Sequence, residues 1–367
     1  MTERITYADS GVDTHAGDKA VELMKEAVAR THGPQVLGGV GAFAGLFDAS
    51  ALKDYDRPLL ASSTDGVGTK IVIARAMGVH DTIGQDLVAM VVDDIVVCGA
   101  TPLLMTDYIA CGKVVPERIA DIVRGIAVGC EMAGVALVGG ETAEHPGVME
   151  PDDYDVAGAA IGVVEADAVL GPDKVRAGDV VVAMASSGLH SNGYSLVRRV
   201  IDHAGWKLDT QVPELGRALG DELLEPTRIY AKLCVELAAE IHGLSAFSHV
   251  TGGGLAANLA RVLPVGLAAT VARDSWTVPP IFSVVQAAGN VPWHDLESTL
   301  NLGVGMVAVV AAADAQDLMD ASAADGVPAW VLGEVGADDG RSESPDTVRG
   351  AKGVHGGAVN LSGSYKV

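Results

Sequence analysis

Aromatic side chains are scarce, with four Phe, seven Tyr and four Trp in 367 residues. That leaves little material for the stacking platforms that hold single-stranded nucleic acid. Basic residues are also few: 25 Lys and Arg stand against 48 Asp and Glu, for a net charge of −23. Binding to nucleic acid or to an anionic membrane by bulk electrostatics is therefore not expected. Only four cysteines occur, Cys98, Cys111, Cys130 and Cys234. None forms a CxxC pair and no spacing matches a zinc site. They read as reduced thiols of a cytosolic protein. No uninterrupted apolar run reaches the length of a membrane span. The first residues, MTERITYADSG, carry no apolar h-region, so no signal peptide is expected and the location expected is cytoplasmic.

Apolar residues make up 49% of the chain, enough for folded cores. The length suggests roughly two domains. The most informative stretch is LLASSTDGVGTK, 59–70. A short buried strand runs into Asp65, Gly66, Gly68, Thr69 and Lys70. Two glycines two apart let the backbone bend and approach a ligand closely. Successive N–H groups in such a bend form an anion-binding concavity. Asp65 can hold a divalent cation and Lys70 can meet phosphate. The competing reading is a hairpin turn, since Asp-Gly is a common turn pair. A P-loop spacing is absent, and a Rossmann GxGxxG would need glycine at Ile71.

A helix is expected over 17–30, with Ala20, Leu23, Met24, Ala27 and Val28 on one stripe. Next comes LGGVGAFAGLF, 37–47, which reads as a lid over a ligand or as a glycine-rich hairpin. The run LVAMVVDDIVV, 87–97, is apolar except for Asp93 and Asp94. Charges in a buried helix are costly unless paired or bound to a cation. Asp86, seven and eight residues earlier, shares their face. Magnesium is one reading, since it takes one or two carboxylates plus phosphates. The other has one Asp capping a neighbouring element and one at the surface. A strand is expected over 103–110, a helix over 116–133 with Pro116 in its first turn, and a strand over 135–138 that ends at GGETAEHPG, 139–147. Glu141 is a metal or substrate candidate there, whereas His145 reads as a loop residue. Another strand is expected over 155–165.

The pattern resets at 166–178, giving domains at 1–168 and 169–336, with 337–367 a flexible tail. In the second domain a strand enters SSGLHSNGYSLVRRVI, 186–201, a Ser/Gly loop followed by a helix from about Asn192. A helix N-terminus presents N–H groups and a positive dipole end to an anion. Ser187, His190, Ser191 and Asn192 are candidates; His190 is either a proton carrier or anion contact, or a neutral hydrogen-bonding side chain. HVTGGGLAANLARVLP, 249–264, repeats the arrangement with Thr251, Gly252 and Gly253, although Thr and Gly are also ordinary caps. Both halves mix strands and helices, so the fold class expected is α/β, or α+β.

As a set, YADSGVDTHAG, LGGVGAFAGLF, TDGVGTK, HDTIGQDLVAM, GGETAEHPG, DYDVAG, SSGLHSNGYSLVR, LLEPTRIY, HVTGGG and LGVGM run in order over nearly all of 7–335. The chain resembles the phosphoribosylformylglycinamidine cyclo-ligase (aminoimidazole ribonucleotide synthetase) family. TDGVGTK marks the wider superfamily of ATP-using enzymes; HSNGYSLVR with PTRIY and TGGG is more specific. The resemblance implies ring closure of formylglycinamidine ribonucleotide with ATP and Mg²⁺ in purine synthesis. It also implies a homodimer whose N-terminal sheets pair into a barrel, and a C-terminal α/β layer domain. Its residue roles follow by motif. Asp65 and Asp94, with Asp93 and Glu141, would hold Mg²⁺. Gly66, Gly68, Thr69 and Lys70 would meet ATP phosphates, Gly38, Gly39 and Gly41 would close over the nucleotide, and Lys25 would also touch ATP. Ser187, His190, Ser191 and Asn192, with Thr251, Gly252 and Gly253, would bind the substrate's ribose phosphate or the transferring phosphate. Asp65, Lys70 and His190 are the catalytic set. Relatives often have Asn-Asp at 93–94 and Cys in place of Leu302. A selenophosphate synthetase would want a reactive Cys near the N-terminus, and 1–60 has none. Formylglycinamidine ribonucleotide synthetase is far longer. A nucleotide-binding regulator leaves the second set of anion loops without a purpose.

Overall fold

The computed structural model describes residues 11–39, 41–340, 344–350 and 353–367; positions 7–10 of the first motif lie outside them. The chain divides into two compact units, Met1–Ile95 with Thr101–Ala166, and Val96–Ala100 with Asp167–Val367.

The first unit opens with α1 (Thr14–Arg30). Asp13 caps it, its carboxylate accepting from the N–H groups of His15 and Ala16, so the helix starts three residues before Gly17. The short strands β1 (Val36–Leu37) and β2 (Leu46–Phe47) pair antiparallel and bracket the glycine-rich segment. Then follow β3 (Pro58–Gly66), α2 (Ile71–Met77), α3 (Thr82–Val96), β4 (Thr101–Cys111), α4 (Pro116–Ala133), β5 (Ala136–Glu144) and β6 (Tyr154–Glu165). The sheet order is β3-β6-β4-β5, antiparallel except for the parallel β4–β5 pair. Helices α3 and α4 cover one face. They approach closely because Gly84 and Gly125 leave no room for a methyl: a Cβ on Gly125 would lie 1.7 Å from the carbonyl oxygen of Asp81. Met105, Asp107, Ile109 and Cys111 of β4 point into that packed layer and are buried. The opposite face carries Leu60, Tyr108 and Ile161, which are exposed.

The second unit contains β7 (Val180–Ala185), α5 (Tyr194–Ala204), β8 (Gln211–Val212), β9 (Arg217–Ala218), α6 (Leu219–Leu223), α7 (Ala231–Glu240) and β10 (Leu244–His249). It continues with α8 (Gly254–Arg261), β11 (Leu267–Ala272), α9 (Pro280–Gly289), α10 (Trp293–Glu297), β12 (Val304–Val310), α11 (Ala315–Ala324) and β13 (Ala329–Ala337). Last come β14 (Thr347–Arg349) and β15 (Ala358–Ser362). Its mixed sheet runs β10-β12-β7-β13-β11-β15-β14. Every residue of β12 is buried. That is the continuous apolar run of a strand covered on both sides.

The described residues of the expected tail at 337–367 include paired strands: β15 pairs parallel with β11, and Ala358 and Val359 are fully buried. The alignment with β11 supplies hydrogen bonds that no local pattern reveals. Gly139 and Gly140 do not end a strand; β5 runs through both to Glu144. Among the described residues no helix is long and apolar enough to cross a membrane, and no disulfide forms between the cysteines.

Candidate functional site

In the first unit, β3 delivers Asp65 and Gly66 at its end. Val67 then turns into the core and is fully buried. Gly68 takes φ +71°, a left-handed value that glycine adopts without strain. A short 3₁₀ turn, Gly68–Lys70, leads into α2. Asp65, Gly68 and Thr69 stay exposed. Lys70 does not: its ammonium is fully buried and sits 2.8 Å from the equally buried Asp86 of α3. The expected phosphate contact is thus a buried ion pair that ties the glycine turn to α3.

Register across the sheet places Asp65 opposite Gly158, Gly158 opposite Asp107, and Asp107 opposite Gly140. Asp65 and Glu141 therefore lie on the two edge strands, three strand spacings or about 14 Å apart. Leu87 of α3 rests on Gly158 and Ile95 rests on Gly162. Asp94 is then beside the Ala61–Gly162 row, four strand residues or about 13 Å from Asp65. Asp93 is fully buried, whereas Asp94 is exposed. The expected metal set of Asp65, Asp93, Asp94 and Glu141 does not converge within one chain. Among the described residues no group of three or more His, Cys, Asp or Glu could hold a metal ion. The arrangement fits a cation held by one carboxylate and by ligand phosphates, with Asp65 the exposed carboxylate beside the glycine turn.

A cavity of about 550 Å³ lies between α1, the glycine-rich segment and β5. Val21, Met24 and Val28 form its apolar wall, Gly39 and Gly41 its cover, and Gly139, Gly140 and Glu141 its floor. The size and the few polar groups suit a planar ligand of nucleobase dimensions. Gly38 and Gly41 take φ +87° and +105°. None of residues 65–70 lines this space. Lys25, expected near a nucleotide, instead pairs at the surface with Glu22, 2.9 Å away.

Asp107 also lines the cavity and was missed in the sequence, although a lone carboxylate in LLMTDYIA invites the argument made for Asp93 and Asp94. A methyl on Gly140 would lie 2.0 Å from its Oδ1, so that glycine makes room for the carboxyl. Burial pushes the Asp107 pKa up to about 7. The unfolded value is about 3.9. The folded chain therefore holds this proton longer, and stability falls as pH rises from about 4 to 7. Asp107→Asn removes that slope. Thermal unfolding is expected to show the variant gaining a few degrees over the parent at pH 8 and almost none at pH 4; an equal difference at both values would show that Asp107 does not titrate there.

In the second unit, two loops each lead into a helix through a left-handed glycine, Gly193 at φ +74° and Gly253 at φ +107°. Neither α5 nor α8 has a side-chain cap. Such N-termini suit an anion. Asn192 joins the two loops, its Oδ1 accepting from the N–H of Gly252 at 2.9 Å. Ser191, Asn192, Thr251, Gly252 and Gly253 are thus brought together and half-exposed. Ser187 has a different place. Its hydroxyl donates to the carbonyl of Pro226 (2.6 Å) and accepts from the N–H of Arg228 (3.1 Å). His190 is 1% exposed with φ +61°. Its Nε2 accepts from the N–H of Ser187 at 3.1 Å, so that nitrogen carries no proton. Both residues shape the loop. Asn301, unremarked in the sequence, locks it further. Its Nδ2 donates to the carbonyl of Gly188 (2.9 Å), and its Oδ1 accepts from the N–H of Gly303 (2.8 Å) and from the Ser186 hydroxyl (3.2 Å).

Residues 47–164 match the family model described as AIR synthase related protein, N-terminal domain. Residues 176–343 match its C-terminal domain counterpart. A phosphoribosylformylglycinamidine cyclo-ligase from Desulfitobacterium hafniense is 49% identical over 338 residues, covering 92% of this chain and 98% of that one. One from Geobacillus kaustophilus is 49% identical over 337 residues, covering 92% and 97%. Among solved structures, a thiamine-monophosphate kinase from Stenotrophomonas maltophilia superposes with a TM-score of 0.66 at 19% identity, over 93% of this chain and 96% of that one. The hydrogenase maturation protein HypE, in a complex with ATP, gives 0.62 at 16% identity, over 96% and 94%. These two show the fold.

Proposed function

The chain belongs to the phosphoribosylformylglycinamidine cyclo-ligase family, and from this premise we propose how its residues close an imidazole ring. It is an ATP-dependent ligase of purine biosynthesis that converts formylglycinamidine ribonucleotide to aminoimidazole ribonucleotide. The formyl carbonyl is a poor electrophile and its oxygen leaves badly. Transfer of the γ-phosphoryl group from ATP to that oxygen gives an iminophosphate and ADP. A nitrogen of the same molecule then attacks the activated carbon, the C–O bond breaks, and phosphate departs with the former formyl oxygen. Holding both reacting ends of one molecule is worth more here than any protein nucleophile.

The observation that supports this division of labour is that two separate sets of ligand-suited groups exist, one in each unit. The cavity over β5 takes the nucleotide, with Gly38, Gly39 and Gly41 covering it. Gly66, Gly68 and Thr69 offer backbone and hydroxyl groups to phosphates. Magnesium bound to those phosphates would neutralise transferring charge, with Asp65 as its ligand from this chain. Ser191, Asn192, Thr251 and Gly253 take the ribose phosphate of the substrate. The buried His190 keeps its loop in shape rather than exchanging protons through Nε2. The uncovered apolar face of the first sheet, with Leu60, Tyr108 and Ile161, is the surface through which two copies pair into a barrel.

Turnover with substrate labelled with oxygen-18 in the formyl group tests the chemistry. The label is expected in the released phosphate, one per ring closed, with one ADP per product. Label retained in water or in ADP would exclude formyl-oxygen phosphorylation. Light scattering of the same preparation is expected to give the mass of two chains; a monomer with full activity would exclude the barrel.

A further inference from the structure

Residues beyond 343 lie outside the matched family models, yet several of the described ones are built into the support of both loops. The support has two branches, both starting at Tyr365. In the first, the Tyr365 hydroxyl donates to Oε2 of Glu297 at 2.7 Å. Glu297 is 9% exposed and also takes two N–H bonds from Arg273, each 2.9 Å. Arg273 in turn reaches Asp346 at 2.8 Å. The backbone carbonyl of Glu297 is pressed against Gly254, where an added methyl would lie 1.8 Å from it. Gly254 is the first residue of α8 and follows Thr251, Gly252 and Gly253 directly. The rest of α8 packs on β14 and β15. Gly356 sits so close to it that a methyl there would lie 2.1 Å from the carbonyl of Ala260.

In the second branch, Trp276 meets Tyr365 edge to face with ring centres 5.6 Å apart. The Trp276 indole N–H donates to the carbonyl of Leu302 at 2.9 Å. Leu302 is held at φ +48°, a strained value for leucine. The next residue, Gly303, accepts from the N–H of Ser186 at 2.9 Å, where the other loop begins. One side chain near the end of the chain thus touches the supports of both loops.

We propose that Tyr365, three residues past β15, is a positioning residue for the substrate's 5′-phosphate. The inference rests on the reading above that the loops at 186–193 and 251–254 receive that phosphate. Tyr365 itself meets no ligand. It fixes where Glu297 and Trp276 stand, and these fix the start of α8 and the turn at Leu302.

The test uses the full chain with Tyr365→Phe, Glu297→Gln and Asn192→Ala, measuring Tm, kcat and the KM for each substrate. Tyr365→Phe removes one hydroxyl and keeps the ring. It is expected to raise the KM for formylglycinamidine ribonucleotide by about threefold to tenfold, the worth of one lost hydrogen bond, with the KM for ATP unchanged. Glu297→Gln keeps the shape but weakens the Arg273 contact, and is expected to act in the same direction. If Tyr365→Phe and Glu297→Gln only lower Tm and leave the substrate KM alone, the segment is structural and the proposal fails. Asn192→Ala separates that failure from failure of the underlying reading. A raised substrate KM in Asn192→Ala alone would keep the loops as the phosphate site and remove Tyr365 from it. An unchanged KM in Asn192→Ala would remove the loops themselves, and the proposal with them.

Discussion

Lys70→Met is expected to cost about 3–5 kcal/mol of stability, because it strands the carboxylate of Asp86 without its buried cation. Both side chains are fully buried and 2.8 Å apart. A lysine whose task is to meet ATP phosphate behaves differently on removal. Its loss raises the KM for ATP and leaves the apo fold as stable as before. The two roles thus predict opposite pairs of readouts. Replacing both partners separates them further, since a buried ion pair exchanged for packed apolar groups of similar volume is often neutral. Lys70→Met with Asp86→Leu is expected to recover most of the loss. Urea unfolding of the parent, the two single variants and the double variant measures the coupling directly. Full stability in Lys70→Met, with a raised KM for ATP, would restore the phosphate contact and discard the anchor. The anchor matters to the site because Lys70 closes the 3₁₀ turn that begins at Gly68. Gly68 and Thr69, exposed in that turn, are placed only as well as the turn is held.

The same residue shows which parts of the molecule were readable from local pattern. Asp86 is sixteen positions away, and nothing in TDGVGTK says that a carboxylate will meet the lysine from a neighbouring helix. Within one helix, pattern served well: the seven-residue spacing put Asp86 and Asp93 on one face, and both are buried. Helix α4 was legible over 116–133, with Pro116 in its first turn, and in the structure Gly134 closes it at φ +73°. Pattern failed where the partner was distant. Gly139 and Gly140 look like a strand end, but Gly140 is there because Asp107 fills its side-chain space. Strands β14 and β15 are too short and too rich in neighbouring glycine to be recognised alone. They exist because β11 offers an edge. The spacing of the carboxylates at 65, 93, 94 and 141 was not readable for the same reason, since motif order does not say which strands lie at the edges of a sheet. The two loops proposed to take the substrate's phosphate stood out in the sequence because their residues are contiguous. Asn301 and Tyr230, which hold one of them from elsewhere in the chain, did not.

Gly305→Ala is expected to damage both the stability of the second unit and the placement of the loop at 186–193. Gly305 lies in β12 beneath the loop that carries His190. An added Cβ would stand 2.0 Å from the Tyr230 hydroxyl oxygen and 2.5 Å from Cε1 of His190. Neither neighbour can simply swing away. The Tyr230 hydroxyl donates to the carbonyl of Ala185 at 2.7 Å, at the point where β7 ends and the loop begins. His190 is already in a left-handed conformation and is held by the N–H of Ser187. The methyl must therefore move both ends of the loop. Overpacking of this kind costs about 1–3 kcal/mol, and a loop displaced by about 1 Å costs on the order of a hundredfold in rate. Gly305→Ala is thus expected to lower Tm by several degrees and kcat/KM for formylglycinamidine ribonucleotide by about two orders of magnitude, by the same displacement argument. Adding Tyr230→Phe deletes the oxygen nearest the new methyl. It should return part of the lost Tm while activity stays low, because the contact with His190 persists and the bond to Ala185 is gone. A Gly305→Ala enzyme with parental Tm and parental kcat/KM would show that the loop tolerates the shift, and His190 and Tyr230 would then have no part in placing the substrate.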